Sequence, residues 1–240
     1  MRRMTALLVR VGIDSTCGKW NAPVNPETWE FAYVPIPEEH PSKPILPGYQ
    51  KSYQLFDDIC RKFDSRLPKS LLEKFPHLDP DFENLTYGDE KSKGVQIKDL
   101  VDGDIIAFYA GLRLPKSHQN KIVCAIIGLY VVDRVVRAAD VRKEDWNKNA
   151  HTRRKFDETD WIVFAKEEER LSGRLERCIP IGEWRNRAHR VRKDLLGIWG
   201  ELSTYDGYIQ RSAILPSVDK PIEFYAWFKS QNIHLLRRNN

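Results

Sequence analysis

The chain predicts an α+β fold: a curved, mostly antiparallel sheet that could close into a barrel, packed helices, and a basic C-terminal helical segment. Three observations carry this. Runs rich in β-branched and aromatic residues recur between turns marked by Gly, Pro, Asn and Asp. One stretch, Leu55, Phe56, Ile59, Cys60 and Phe63, has helical spacing. The order is strand, loop, strand, helix, then several strands.

Element by element, "TALLVRV" (residues 5–11) reads as a first strand and "WEFAYVPI" (29–36) as a second. The intervening "GIDSTCGKWNAPVNP" holds two glycines, two prolines and two asparagines, so it is a long ordered loop. Prolines in "VPIPEEHPSKPILPG" remove donors and fix φ, which excludes regular structure there, and a helix begins near Ser52. From Gly94 a short segment leads to a turn at Asp102-Gly103 and a strand over 104–110. "KIVCAIIGLYVVDRVV" gives one long strand or two kinked ones, with Gly128 at the bend, and "TDWIVFAKE" (159–167) gives another. Ala188, Val191, Leu195 and Trp199 fit an amphipathic helix over "WRNRAHRVRKDLLGIW" with its arginines toward solvent, and "EFYAWFKSQNIHLL" fits a final helix. This divides the chain into an α+β core, residues 1–170, and a helical segment, 171–240, packed on it.

Composition narrows the function classes. With 41% apolar and 30% charged residues, the 240-residue chain can build a real core and is not disordered by default. The longest apolar run, Ile122 to Val132, is far short of the roughly 20 residues a membrane-spanning helix needs. Arg10 interrupts the apolar start and no small-residue cleavage pattern follows, which suggests a cytoplasmic protein without a membrane partner. Cys17, Cys60, Cys124 and Cys178 are scattered singly, against a structural zinc site or a disulfide framework.

Chemistry concentrates in three places. In "HLDPDF", Pro80 pushes Asp79 out of the α region, and alternate residues on extended backbone share a side. His77, Asp79 and Asp81 would then face one pocket, suited to orienting a water, holding a divalent ion or acid–base work. The plainer alternative is a turn built by Asp and Pro and capped by His77. In "DSTCGKWNAP", Asp14, Ser15, Cys17, Lys19 and Asn21 share a glycine-bearing loop where Lys19 could meet a phosphate and Trp20 stack on a base; an Asx-turn with an incidental thiol is the alternative. In "RNRAHRVRK", Arg185, Arg187, Arg190, Arg192 and Lys193 carry five positive charges and no acid, equal to the net charge of +5. Such a stripe would attract a phosphate backbone, although a solvated surface helix is the other reading.

The pairing of "VDGDIIAFYAG" with "IVCAIIGLYVVDRV" looks like the small β-barrels of the PUA and EVE type, which hold a modified or flipped base. More specifically, "RVGIDSTCGKWNAPV", "FAYVPIPE", and "HLDPDF" followed by "GDIIAFYAGLR" together resemble the third nucleotide-modification-associated domain family, over roughly residues 7 to 135. The resemblance implies work in nucleic-acid base modification and singles out Asp14, Ser15, His77, Asp79 and Asp81, without assigning them roles. Cys17 and Lys19 stand where smaller residues are expected in relatives, which speaks against a cysteine mechanism. The expected partner is nucleic acid or a nucleotide. The cofactor is unassigned, and no metal ligand is assigned. Two mechanisms follow. In one, His77 with Asp79 or Asp81 performs acid–base chemistry on a base; in the other, the same groups recognise a modified base, with Trp20, Tyr87 or Tyr109 stacking on it.

Overall fold

The structure, a computed structural model, describes residues 2–39, 53–115, 118–119 and 121–240. Part of the Pro-rich tract and Ser52 fall outside these residues.

The fold is α+β, and its centre is one long strand. Strand β1 (Ala6–Arg10) is followed by β2 (Ile36–Pro37), α1 (Tyr53–Arg61), α2 (Lys69–Leu72), β3 (Pro76–His77), β4 (Thr86–Asp89), α3 (Lys91–Ile97), β5 (Ile105–Arg113) and β6 (Ile122–Arg137). After α4 (Ala150–Arg153) come β7 (Trp161–Ala165), β8 (Gly173–Pro180), β9 (Gly182–Arg185), β10 (Ala188–Val191), α5 (Lys193–Trp199), α6 (Pro221–Ser230) and β11 (Leu235–Leu236). Along one side β6 pairs with β5, which pairs in parallel with β1. Along its other side β6 pairs first with β8 and then with β7, which continues to β4.

That change of partner requires a bend. The registers shift at Phe108/Tyr109 and at Ile126/Gly128, where Gly128 is needed: a Cβ there would lie 2.4 Å from the Phe82 ring. The sheet curves at these bulges, but it is not closed into a barrel.

Period-two alternation places apolar side chains on both faces. Leu7, Val9, Ile106 and Phe108 point into one core, while Ala6, Leu8, Ile105, Ala107 and Tyr109 point into the other. The first core is knit by edge-on aromatic contacts of Phe82 with Tyr33, Phe108 and Tyr130 at 5.4 to 5.7 Å. The second is covered by α5 and α6, where Trp199 meets Phe224 at 5.0 Å.

Two sequence expectations are corrected. Residues 29–36 do not form a continuous strand. Their backbone donors go to scattered partners, Ala32 N to Pro23 O and Tyr33 N to Asn240 Oδ1; Phe31 makes an isolated bridge to Val24, and the one ladder is Ile36–Pro37 with Pro76–His77. The basic stretch is not a helix but the hairpin β9–β10, turned by Asn186 and Arg187 at φ of 51° and 60°, with α5 beginning only at Lys193. Two consecutive left-handed residues are the signature of a type I′ turn, whose twist suits a tight hairpin. Ala188 and Val191 are buried from strands, Leu195 and Trp199 from a helix, so one apolar spacing served both.

Candidate active site

A cavity of about 170 Å³ opens where β1, β2–β3, β4 and α4 come together. His77, Asp79 and His151 project into it. The short pairing of Ile36–Pro37 with Pro76–His77 fixes the first of these and brings Glu38 beside it, with His77 Nδ1 2.6 Å from Glu38 Oε2. Asp79 follows at the end of the same extended stretch, before a cis Asp79–Pro80 peptide. Both its oxygens accept from Gly88 N at 3.0 Å, and Asn149 Nδ2 lies 3.4 Å from Oδ1.

His151 comes from α4, a four-residue turn in an otherwise polar stretch. Asn149 caps it by accepting from His151 N at 2.8 Å. The imidazole is buried and spans two carboxylates: Nδ1 is 2.8 Å from Asp160 Oδ1 and Nε2 3.3 Å from Asp79 Oδ2. Its ring stands edge-on to His77, centroids 4.9 Å apart. Gly88 makes this approach possible, since a Cβ would fall 2.5 Å from His151 Cδ2. Arg154 closes the back of the cluster, bonded to Glu90 at 2.7 Å and Asp160 at 3.0 Å.

The electrostatics follow from burial and these contacts. Burial disfavours charge on His151, but the hydrogen bonds to Asp160 and Asp79 outweigh it and raise the imidazole to about 9. Burial pushes the Asp79 carboxyl above its ordinary value, against the pull of His151, His77 and Gly88 N–H. Titratable groups perturbed by burial and specific partners in a cleft make this cluster a candidate functional site.

Other predicted residues are distributed differently. Asp81 is turned away from the cavity and buried among Arg153 (3.0 Å), Asn84 (2.8 Å) and Asn239 (3.1 Å), where it ties the turn to two distant segments. None of the site residues predicted on the Asp14 loop lines the cavity, whose wall here is Arg10 of β1, Val11 and Gly12; behind that wall sits Asp14. Its carboxylate caps Thr16 N and Cys17 N at 2.8 Å and holds Arg10 at 3.1 Å and Arg211 at 3.0 Å, two arginines that line the cavity. Ser15 and Lys19 are exposed. Trp20 is buried under the Arg113 guanidinium, and Asn21 donates to Gly111 O. Tyr87 and Tyr109 are both buried; Tyr87 lines the cavity and Tyr109 does not. Cys17 is half-buried, and Cys60, Cys124 and Cys178 are buried free thiols.

The basic stretch is largely compensated by acids outside it. Arg185 bonds Glu183 and Asp206, Arg190 lies 3.5 Å from Asp206, and Arg192 bonds Asp194; Arg187 and Lys193 stand exposed.

His151, Glu38 and Asp160 were not legible as site residues. Nothing local marks them; a lone His in "NKNAHTRRKFDETD" becomes informative once Asn149 is seen to cap a turn directed at Asp79. No helix among the described residues is long and apolar enough to cross a membrane. Neither the curated proteins nor the solved structures include one that this chain matches. Residues 5–204, however, match the family model described as nucleotide modification associated domain 3, which extends the resemblance beyond the signature turn through the hairpin and α5. With most of its length so matched, and the His-Asp turn of that signature lining the cavity, the chain belongs to the nucleotide modification associated domain 3 family.

Proposed function

We propose that this chain is an enzyme of nucleobase modification, acting on a base lodged in the cavity against His77, Asp79 and His151. The observation that supports it is the meeting of two imidazoles and a buried carboxylate in a space of about 170 Å³. A cavity of roughly 150 Å³ accommodates a single benzene ring, so this one suits one base and leaves sugar and phosphate outside. A base in a strand would have to be lifted from its stack to enter, as base-directed enzymes require.

The walls support the same reading. Arg10 and Arg211, positioned by Asp14, present guanidinium groups on one side, and Lys93 on another. These cations suit an acceptor-rich base edge or the phosphate next to it. For a polymeric substrate, the exposed Lys19, Arg187 and Lys193 would add phosphate contacts.

Nucleoside mass spectrometry of DNA, RNA and free nucleotides after incubation with the protein tests this. A new nucleoside that disappears with His77→Ala and His151→Ala is the expected result. Affinity for a modified base without any product would instead assign the chain to recognition.

A further inference from the structure

We infer that His77, Asp79 and His151 form a binding site for one divalent transition-metal ion, with its open positions facing the cavity. The three prospective ligand atoms, one from each side chain, lie within 4.8 Å of one another. Asp79 Oδ2 is 3.3 Å from His151 Nε2 and 4.0 Å from His77 Nε2. Two ligands about 2.1 Å from a shared ion sit about 3 to 3.5 Å apart, so a small closing movement of His77 completes the set.

What separates this cluster from a chance meeting of polar groups is its outer shell. Each imidazole turns Nδ1 toward a carboxylate, His77 to Glu38 at 2.6 Å and His151 to Asp160 at 2.8 Å. At His77 the carboxylate acceptor keeps the proton on Nδ1, which leaves the Nε2 lone pair for a metal; at His151 the same nitrogen meets both Asp160 and the Arg154 guanidinium, at 2.8 Å each. These contacts fix the orientation of both rings, as outer-shell partners do in carboxylate–histidine–metal arrangements. The metal-facing carboxylate is oriented too, by the two bonds from Gly88 N and by Asn149.

Two histidines and one carboxylate on a single side of an ion leave positions free for water or substrate, a donor set used by first-row divalent metals. A second grouping, Glu90, His151 and Asp160, has comparable spacing, but the Arg154 guanidinium already lies among those three, at 2.7 Å from Glu90 and 2.8 Å from His151. A cation placed there would be repelled by that charge. In the first grouping, His77 and His151 bring no permanent charge once Nε2 is deprotonated, and Asp79 supplies a negative one.

The inference concerns the same cavity as the proposed function but does not depend on the substrate being a nucleotide. Its test is titration of the metal-stripped full chain with Co(II), followed by calorimetry and visible absorption, with thermal unfolding of every variant as a folding control. One ion per chain should bind. His77→Gln, Asp79→Asn and His151→Gln should remove that binding, Glu38→Gln should weaken it about 10- to 100-fold, and Glu90→Gln should leave it unchanged. His77 is less buried than His151, so its variant carries the test if His151→Gln does not fold.

Absence of binding of Co(II), Mn(II) and Zn(II) by the wild type up to roughly millimolar concentration, the weakest class of built metal sites, would overturn the inference. So would equal Co(II) affinity in the folded His77→Gln and Asp79→Asn variants. Metal binding without any effect on a base would remove the nucleotide reading and leave the metal site standing. A modified nucleoside produced by a chain that binds no metal would do the reverse.

Discussion

His151 leans on Gly88 so closely that a Cβ at position 88 would lie 2.5 Å from its Cδ2 and 2.9 Å from Asn149 Oδ1. The glycine backbone is therefore the floor on which the second histidine rests, and its N–H is also the donor that holds Asp79. Gly88→Ala should push His151 and its cap aside. Overpacking of this kind costs about 1–3 kcal/mol, and a displacement near 1 Å at reacting groups can cost about 10²-fold in rate. The expected outcome is a modest fall in denaturation midpoint with a much larger fall in product formation; retention of full turnover would show that His151 need not sit there.

Asp81 and His77, four residues apart, should separate stability from chemistry. Asp81→Ala leaves the buried Arg153 without its carboxylate and strips acceptors from Asn84 and Asn239. Breaking a buried pair on one side costs about 3–5 kcal/mol, so a large loss in urea stability is expected. His77→Gln changes a partly buried residue that lines the cavity and should cost about 1 kcal/mol, near the centre of the range for point mutants, while removing turnover. Urea denaturation and product assay on both variants check the pair; matching profiles would refute the division.

How far this site could be read from sequence follows from where its forces act. Strands β1, β5, β6 and β7 announce themselves through β-branched runs, and α1 through helical spacing, because each owes its burial pattern to its own residues. His77 and Asp79 are visible for the same reason, as alternate residues of one extended stretch. Asp81 belongs to that pattern too, yet its partners Arg153 and Asn239 are remote and draw it to the other side. The hairpin escaped because Asn186-Arg187 lacks the glycine that usually marks such a turn, and because its apolar spacing continues into α5. His151, Glu38 and Asp160 acquire meaning solely through tertiary contact.

Acid should weaken the chain in part through Asp14. Burial would raise this carboxyl, but Arg211, the Cys17 N–H and Arg10 outweigh it and hold it below the ordinary 3.8. A folded-state value below the unfolded one stabilises the fold fully above 3.8, and that contribution is lost as pH falls through the depressed value. Arg211→Met removes one source of the depression. It should cost about 1.5–3 kcal/mol at neutral pH, the range for hydrogen bonds to charged groups, and move the acid transition to higher pH. Denaturant midpoints followed from neutral pH downward read both effects; an unmoved acid transition would mean that Arg211 does not govern Asp14.

The hairpin offers a prediction in which the arginines are not equivalent. Arg185 and Arg190 are held by Asp206, and Arg190 also donates to the carbonyls of Tyr205 and Asp206, so their guanidinium groups brace the hairpin against the 205–207 turn. Replacing them should lower stability. Arg187, at the turn, and Lys193, at the start of α5, are exposed, and a phosphate could reach them without breaking an internal bond. For a nucleic-acid ligand, removing one phosphate-neutralising cation reduces the slope of log K against log salt by about one. The double variant Arg187→Ala, Lys193→Ala should therefore flatten that slope by about two while its unfolding midpoint stays near that of the wild type. A slope unchanged in the double variant would place the phosphate-binding cations elsewhere, with Lys19 and the Arg10–Arg211 wall next to be tested.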